Sequence, residues 1–406
     1  AFARLLPTPT PTPTRPFIMR WALSSAFVLL ATAAARGAEQ QRTWRLRARP
    51  GDDEKLSVHD HFELVNDAEG EAPPLSAGEV RVRPVAFSVD PYMRGRFRAP
   101  SLAMRDYVMP PFDVGAPIVG GGVAVVTASR ADGVAVGDRV TALLPWQTRA
   151  TVRADAPFFG KLDAAVSDEH ALSVLGLTGA SCELPVYHFW LKQRGGADAV
   201  RGKTAFVSGA AGAVGSVCVQ YLLALGVDVI GSAGSDEKVA LLESWGARAF
   251  NYKHAAWREQ LAAHVDAVGG RLDVYFDNVG GAMLDEALLH MARHGLVIAC
   301  GAIATYEAAN DARHHVKRWF LVIVKSLTVK GFLVSDWPPA EWAASFARLA
   351  PLLADGRVRT LSTPTYGFAN LPTALVGLFA GANTGKAVVV VDADEYRPAR
   401  AHHTEL

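Results

Sequence analysis

The sequence predicts a two-part α/β protein, in which a discontinuous β-rich barrel domain is interrupted by an inserted doubly wound parallel sheet. Three observations predict it. The chain has 406 residues, more than one hydrophobic core usually organises. Near Lys203 the pattern changes from strands punctuated by Gly, Pro and Asp to short apolar runs alternating with helical stretches. At that change stands SGAAGAVGS (208 to 216), a glycine-rich turn between a strand and a helix.

Residues 1 to 41 read as a leader. The Pro-Thr repeat LPTPTPTPTRP builds neither helix nor ladder, because each proline removes a donor and fixes φ. Met19 and Arg20 then precede WALSSAFVLLATAAA, an apolar stretch too short to span a bilayer. Arginines without acids up to Ala38 and small residues at Ala35 to Ala38 suit a secretory signal or an organelle (plastid or mitochondrial) transit peptide, with Met19 as the expected start; the alternative is a disordered leader on a cytoplasmic protein. No stable membrane insertion is expected.

Residues 42 to 172 are expected to form most of the barrel, from EVRVRPVAFSV, GGGVAVVTAS and GDRVTALLPW. Residues 173 to 355 form the inserted domain: strands at KTAFVS, VDVIGS, RAFNY, LDVYFDNV and GLVIACG alternate with helices at VCVQYLLALG, DEKVALLESWG, AAWREQLAAHV and AMLDEALLHMA. A helix ending near Ser326, a strand LTVKGFLV and the amphipathic PAEWAASFARLAPLLADG follow. Residues 356 to 394 return to the barrel through a strand at RVRT, a helix from Leu371 to Gly381 and a closing KAVVVV.

Composition excludes several classes. Half the residues are apolar, a fifth are charged and the net charge is +1, which gives no concentrated basic face for nucleic acid. Cys182, Cys218 and Cys300 lie far apart with no C-x-x-C pair, so reduced thiols are expected rather than a disulfide framework or a zinc cage. The histidine pairs 314–315 and 402–403 read as solvated surface, and no H-E-x-x-H occurs.

Gly209, Gly212 and Gly215 permit a tight turn, close approach to a pyrophosphate and close helix packing. The helix that follows aims unpaired N–H groups and its positive dipole end at the phosphate. An NAD site places a carboxylate about twenty residues on, at the ribose 2′-hydroxyl. Here GSAGSDEK offers Ser232 and Ser235 instead, with Lys238 beyond. Hydroxyls, bare N–H groups and a lysine favour a 2′-phosphate, so the expected cofactor is NADPH. Lys238 is alternatively an ordinary solvated lysine of a first helical turn.

The segments FSVDPYMRGRF, SGAAGAVGSV, GSAGSDEK, FNYK, VYFDNVGG and CGAIATY occur in an order that resembles the zinc-independent medium-chain reductases, and among them the NADP-dependent alkenal double-bond reductases and prostaglandin reductases. The resemblance spans roughly Arg42 to Val391. It implies a GroES-like barrel beside a Rossmann domain. It also implies cofactor contacts at Gly212, Ala213, Val214 and Gly215 for the pyrophosphate, with Ser235, Lys238 and Tyr252 at the 2′-phosphate end. Asn278, Cys300, Gly301, Ala302, Ile303, Tyr306, Phe332, Leu333, Val334 and Asn383 would line the rest.

Reducing an activated C=C bond requires a hydride at the β-carbon, a donor for the developing enolate oxygen and a proton for the α-carbon. A phenol donates strongly without bringing a full charge into an apolar pocket. Tyr306, at the carboxyl end of a sheet strand, is the first candidate catalytic residue and Tyr92 the second. No metal is expected: zinc alcohol dehydrogenases of this fold need an early cysteine, a His-Glu pair and a cysteine-rich lobe, whereas no cysteine precedes Cys182. GLTGASCE (176 to 183) departs from the family pattern, and Glu183 either favours a polar substrate or points to solvent.

The expected activity is NADPH-dependent reduction of 2-alkenals or enones. A zeta-crystallin-type quinone reductase and a non-catalytic NADPH-binding protein are the alternatives. A homodimer is expected through LTVKGFLV.

Overall fold

The computed structural model describes residues 40–51, 53–67, 73–99, 109–307 and 315–399. Nearly all of the expected leader lies outside them. Two short strands open the described chain, β1 (Arg42–Leu46) and β2 (Phe62–Asn66), and pair antiparallel. A larger sheet follows from β3 (Glu79–Ser88), β4 (Val119–Ser129), β5 (Arg139–Pro145), β6 (Ala150–Arg153) and β7 (Gly160–Lys161), with neighbouring strands antiparallel. β3 alternates half-exposed and buried residues in its first half and is buried throughout its second, where Ala86 packs with Ala171, Leu172 and Val388.

The parallel sheet comprises β8 (Thr204–Val207), β9 (Asp228–Ala233), β10 (Arg248–Asn251), β11 (Leu272–Asp277), β12 (Met291–Ala299) and β13 (Thr328–Gly331). Its order is β10-β9-β8-β11-β12-β13, so the direction of winding reverses between β8 and β11. β8 and most of β9 and β11 are buried on both faces, which is why these segments read as continuous apolar runs rather than alternations. The winding reversal opens a crevice at the carboxyl ends of β8 and β11.

β14 (Ser362–Tyr366) and β15 (Lys386–Val390) leave that sheet. β15 pairs antiparallel with β3, so the chain closes back on its first half. The mixed α/β architecture thus carries a β-rich sheet and a separate parallel one. Residues 357–360, read as a strand, form none: the Arg359 N–H donates to Gln220 Oε1 (2.9 Å) and Gln220 Nε2 donates to Arg359 O (3.1 Å), so a side chain occupies the groups a ladder would need. The expected long strand LTVKGFLV is also shorter, ending at Gly331 before a 3-10 turn at Val334–Asp336.

The expectation of three reduced, separated cysteines fails. Helices Leu177–Val186 and Ala213–Ala224 pack side by side, which brings the Cα atoms of Cys182 and Cys218 to 5.4 Å and pairs them in a buried disulfide. Sequence separation was a poor guide because the fold closes a loop of 36 residues there. Cys300 is the free cysteine among the described residues.

Candidate active site

At the winding reversal, the parallel sheet and the barrel enclose a cleft of about 560 Å³. One end is built from backbone. Gly209 has φ of +59°, a left-handed turn that glycine adopts without strain. A Cβ on Gly215 would lie 2.2 Å from Gly209 O, so only glycine lets the helix Ala213–Ala224 start this close to β8. Gly212, Ala213, Val214 and Gly215 line the cleft there, at the amino end of that helix. From the barrel side Gly385 N–H donates to Ala211 O (2.8 Å), so the β15 entrance braces the same turn.

Ser232, which stands where a carboxylate was absent, is fully buried and accepts from the Gly209 N–H at 3.3 Å. It therefore supports the turn from behind instead of facing a ligand. Ser235 caps the helix Asp236–Ser244 by accepting from Lys238 N–H (3.4 Å) and does not line the cleft. Lys238 does line it. Its ammonium donates to Gly381 O and Asn383 O, both at 2.8 Å, which leaves the third of its N–H groups for an anion. Burial, followed by the charge of nearby Lys253, holds its pKa below the usual lysine range. Lys253 also lines the cleft; sequence reading passed it over although it lies in the quoted FNYK. Tyr252 covers Gly234 so closely that a Cβ there would meet the phenol oxygen at 2.8 Å.

The middle of the cleft rests on a buried carboxylate. Asp277 accepts from the Tyr275 hydroxyl (2.7 Å), the Val279 N–H (2.9 Å) and the Gly280 N–H (2.8 Å), and so shapes the turn that carries Asn278. Burial raises its pKa, against the lowering effect of those donors. Asn278 lines the cleft, with its amide donating to Ser208 O (2.8 Å). Burial pushes the Cys300 thiol up to about 12, which keeps it protonated beside the cleft.

The other end is built from side chains. Tyr306 closes the short helix Ile303–Tyr306 beyond β12, and its phenol oxygen accepts from the Ala302 N–H at 3.1 Å. Ala302 itself stands behind the lining that Gly301, Ile303 and Tyr306 form. Tyr92 lines the cleft from the barrel, just before the helix Met93–Arg96. Asn383 completes the wall, its side chain donating to Gly385 O (2.6 Å). Asp90, which sequence reading passed over within VDPYMR, lines the cleft and is held by fully buried Lys386 at 2.9 Å. The only signal for Lys386 was a lysine opening an apolar run.

Three expected lining residues stand elsewhere. Beyond β13 the chain turns so that Phe332 packs on Phe189 and Trp337, with ring centroids at 6.2 and 5.4 Å, Leu333 is exposed, and Val334 opens the 3-10 turn. None of the three lines the cleft.

Glu183 takes neither of its expected places. It is fully buried, bound by the Arg348 guanidinium through Nε and through Nη2 (2.8 Å), and accepts from the Tyr221 hydroxyl at 3.3 Å. Burial and that carboxylate hold the Tyr221 phenol above its usual range. The carboxylate is thus spent on joining helices Leu177–Val186, Ala213–Ala224 and Pro339–Ala354. From the altered segment, Leu177, Thr178 and Ser181 reach the cleft instead. Among the described residues no group of three or more His, Cys, Asp or Glu side chains is gathered around a common metal position.

Comparisons with known proteins agree with this geometry. Residues 42–159 match a family model described as the N-terminal domain of oxidoreductase, and residues 213–351 match one described as zinc-binding dehydrogenase. The chain is 34% identical to the 2-alkenal reductase (NADP(+)-dependent) of Nicotiana tabacum over 320 residues, covering 78% of this chain and 89% of that one. It is 34% identical to prostaglandin reductase 1 of Rattus norvegicus over 352 residues, covering 86% and 99%. CurA of Vibrio vulnificus, solved in complex with NADPH, superposes with a TM-score of 0.74 at 28% identity, covering 86% of this chain and 99% of that one. An Escherichia coli quinone oxidoreductase at 20% identity and a TM-score of 0.64 shares the fold. The chain belongs to the medium-chain dehydrogenase/reductase family, in the zinc-independent branch of NADP-dependent alkenal double-bond reductases and prostaglandin reductases.

Proposed function

We propose that the protein is an NADPH-dependent reductase of the C=C bond of α,β-unsaturated aldehydes and ketones. One observation carries the reading: one cleft holds a glycine turn at a helix amino end, the two lysines Lys238 and Lys253, and the two tyrosines Tyr92 and Tyr306. The relatives' names, 2-alkenal reductase and prostaglandin reductase, point the same way. The residues fit the dinucleotide, because the cradle at Gly215 has no room for a Cβ and the Lys238–Lys253 pair leaves positive charge for a phosphate. When bound, NADPH supplies the hydride.

This chain's residues do the rest by position and electrostatics. Gly212, Ala213, Val214 and Gly215 receive the pyrophosphate, and Lys238, Lys253 and Tyr252 the 2′-phosphate. Asn278, Cys300, Gly301 and Asn383 form the wall between the ends. Tyr306 donates to the substrate oxygen as negative charge develops on it. The hydrogen bond its own oxygen accepts from Ala302 N–H polarises the phenol and strengthens that donation. Tyr92 is the donor on the opposite wall. Turnover of a panel of linear enals, cyclic enones and quinones with NADPH tests the reading, and a quinone-only activity overturns it.

Residues 42–172 with 356–394 form the barrel unit and 173–355 the nucleotide unit; the pairing of β15 with β3 supports this division. The edge strand β13 lies beside exposed Trp319, Phe320, Ile323 and Val324, an apolar face suited to a second copy of the chain. A monomer in sedimentation equilibrium overturns the homodimer. No helix among the described residues is long and apolar enough to cross a membrane.

A further inference from the structure

The two tyrosines sit on segments far apart in sequence, and one ion pair joins those segments. Arg94, two residues after Tyr92, is 1% exposed and donates through Nε to Glu307 Oε1 at 3.1 Å. Glu307, the residue after Tyr306, is 14% exposed. The same carboxylate oxygen accepts from Leu56 N–H at 2.9 Å, and Arg94 Nη2 donates to Glu54 O at 2.7 Å. Arg94 Nη1 is buried with no hydrogen-bond partner among the described residues, and Glu307 is the carboxylate that pairs with this guanidinium there. A second tether runs parallel: Arg98 Nη2 donates to Tyr306 O at 2.9 Å. Both tethers leave the Met93–Arg96 region of the barrel and end on the Tyr306 segment of the nucleotide-binding half.

We propose that Arg94 and Glu307 are positioning residues, whose ion pair fixes the Tyr92 and Tyr306 phenols relative to each other across the cleft. The inference rests on the reductase reading and adds to it a requirement for registration between the two halves. A buried cation with one carboxylate partner among the described residues holds its geometry strictly, because any displacement leaves an uncompensated charge in a low dielectric. Each phenol is separated from the pair by one or two residues of backbone. A shift of either segment therefore moves a hydroxyl relative to a substrate held between them. Misplacement of about 1 Å costs up to about a hundredfold in rate, whereas the nucleotide end, built on the glycine turn, does not pass through this contact.

The experiment compares Glu307→Ala, Glu307→Gln and Glu307→Asp with wild type, using trans-2-hexenal as substrate and NADPH fluorescence for cofactor binding. Glu307→Ala is expected to lower kcat about tenfold while the NADPH Kd stays within about twofold. Glu307→Gln keeps an acceptor for Leu56 N–H but loses the charge facing Arg94, so a fall of about fivefold is expected. Glu307→Asp keeps the charge and recovers part of the loss. Unchanged kcat in Glu307→Gln overturns the proposal, and it decides the matter if Glu307→Ala fails to fold. So does a parallel loss of kcat, NADPH affinity and melting temperature that Glu307→Asp does not relieve, since that marks a purely structural contact. Failure of the reductase reading is distinguishable, because there wild type itself leaves the enal unreduced.

Discussion

The two ends of the cleft are made of different materials. The pyrophosphate part of the nucleotide end is backbone: a glycine turn, a helix amino end and a supporting serine, all within about twenty-five residues of one another. The substrate end is side chain: Tyr306 from beyond β12, Tyr92 from the barrel and Asp90 held by Lys386 from the last strand. The first is assembled by local chain geometry and the second only by tertiary closure. Substitutions should therefore break binding at one end and turnover at the other.

The largest effect is expected at the glycine turn. Gly215→Val would place side-chain carbon against Gly209 O, so NADPH affinity should fall about a thousandfold, read by fluorescence titration. A loss under tenfold would show that the turn tolerates rearrangement and that the two ends differ little. Next comes Tyr306→Phe, which removes the donor at the substrate end. We expect kcat to fall about a hundredfold with NADPH affinity near wild type, and an unchanged kcat would transfer the role to Tyr92.

A third substitution tests the scaffold between the ends. Glu183→Ala strands Arg348 and breaks the junction of three helices, and chemical denaturation should show about 2 kcal/mol of lost stability, the guanidinium being partly solvated. The kcat of the folded fraction should hold. A selective change in substrate preference would instead return Glu183 to the site. Smaller still, Lys238→Ala should weaken NADPH about tenfold more than NADH. Because only the charged ammonium attracts the phosphate and its pKa is lowered, the preference of wild type for NADPH should decline as pH rises through that lowered value. Finally, thiol titration in denaturant should find one reactive group without reductant and three with it, from Cys300 alone and then from all the cysteines.

Much of the nucleotide half was legible because its signals are short-range. The alternation of apolar runs and helical patterns located β8 through β12, and the glycine spacing located the turn. The carboxyl end of β12 then placed Tyr306 at the cleft, and the family resemblance placed Asn278 there. Legibility failed where a side chain's partner lies across the fold. Glu183 was open between the substrate side and solvent because its segment borders the cleft, yet the helix it stands on is buried from Thr178 to Val186, and Cys182 and Glu183 both point inward. Ser232 was read as a phosphate neighbour and proved a brace for Gly209. Phe332 to Val334 were placed at the cleft by resemblance and lie beyond the sheet edge instead.

By itself the sequence determined the kinds of element, their order and the nucleotide turn, because hydrophobic period and glycine geometry are properties of contiguous residues. Only the tertiary structure decided which cysteines pair, where Glu183 goes and how Arg94 meets Glu307. Those contacts join segments separated by 36, 165 and 213 residues, and nothing local in the chain encodes the partner of a buried charge or thiol.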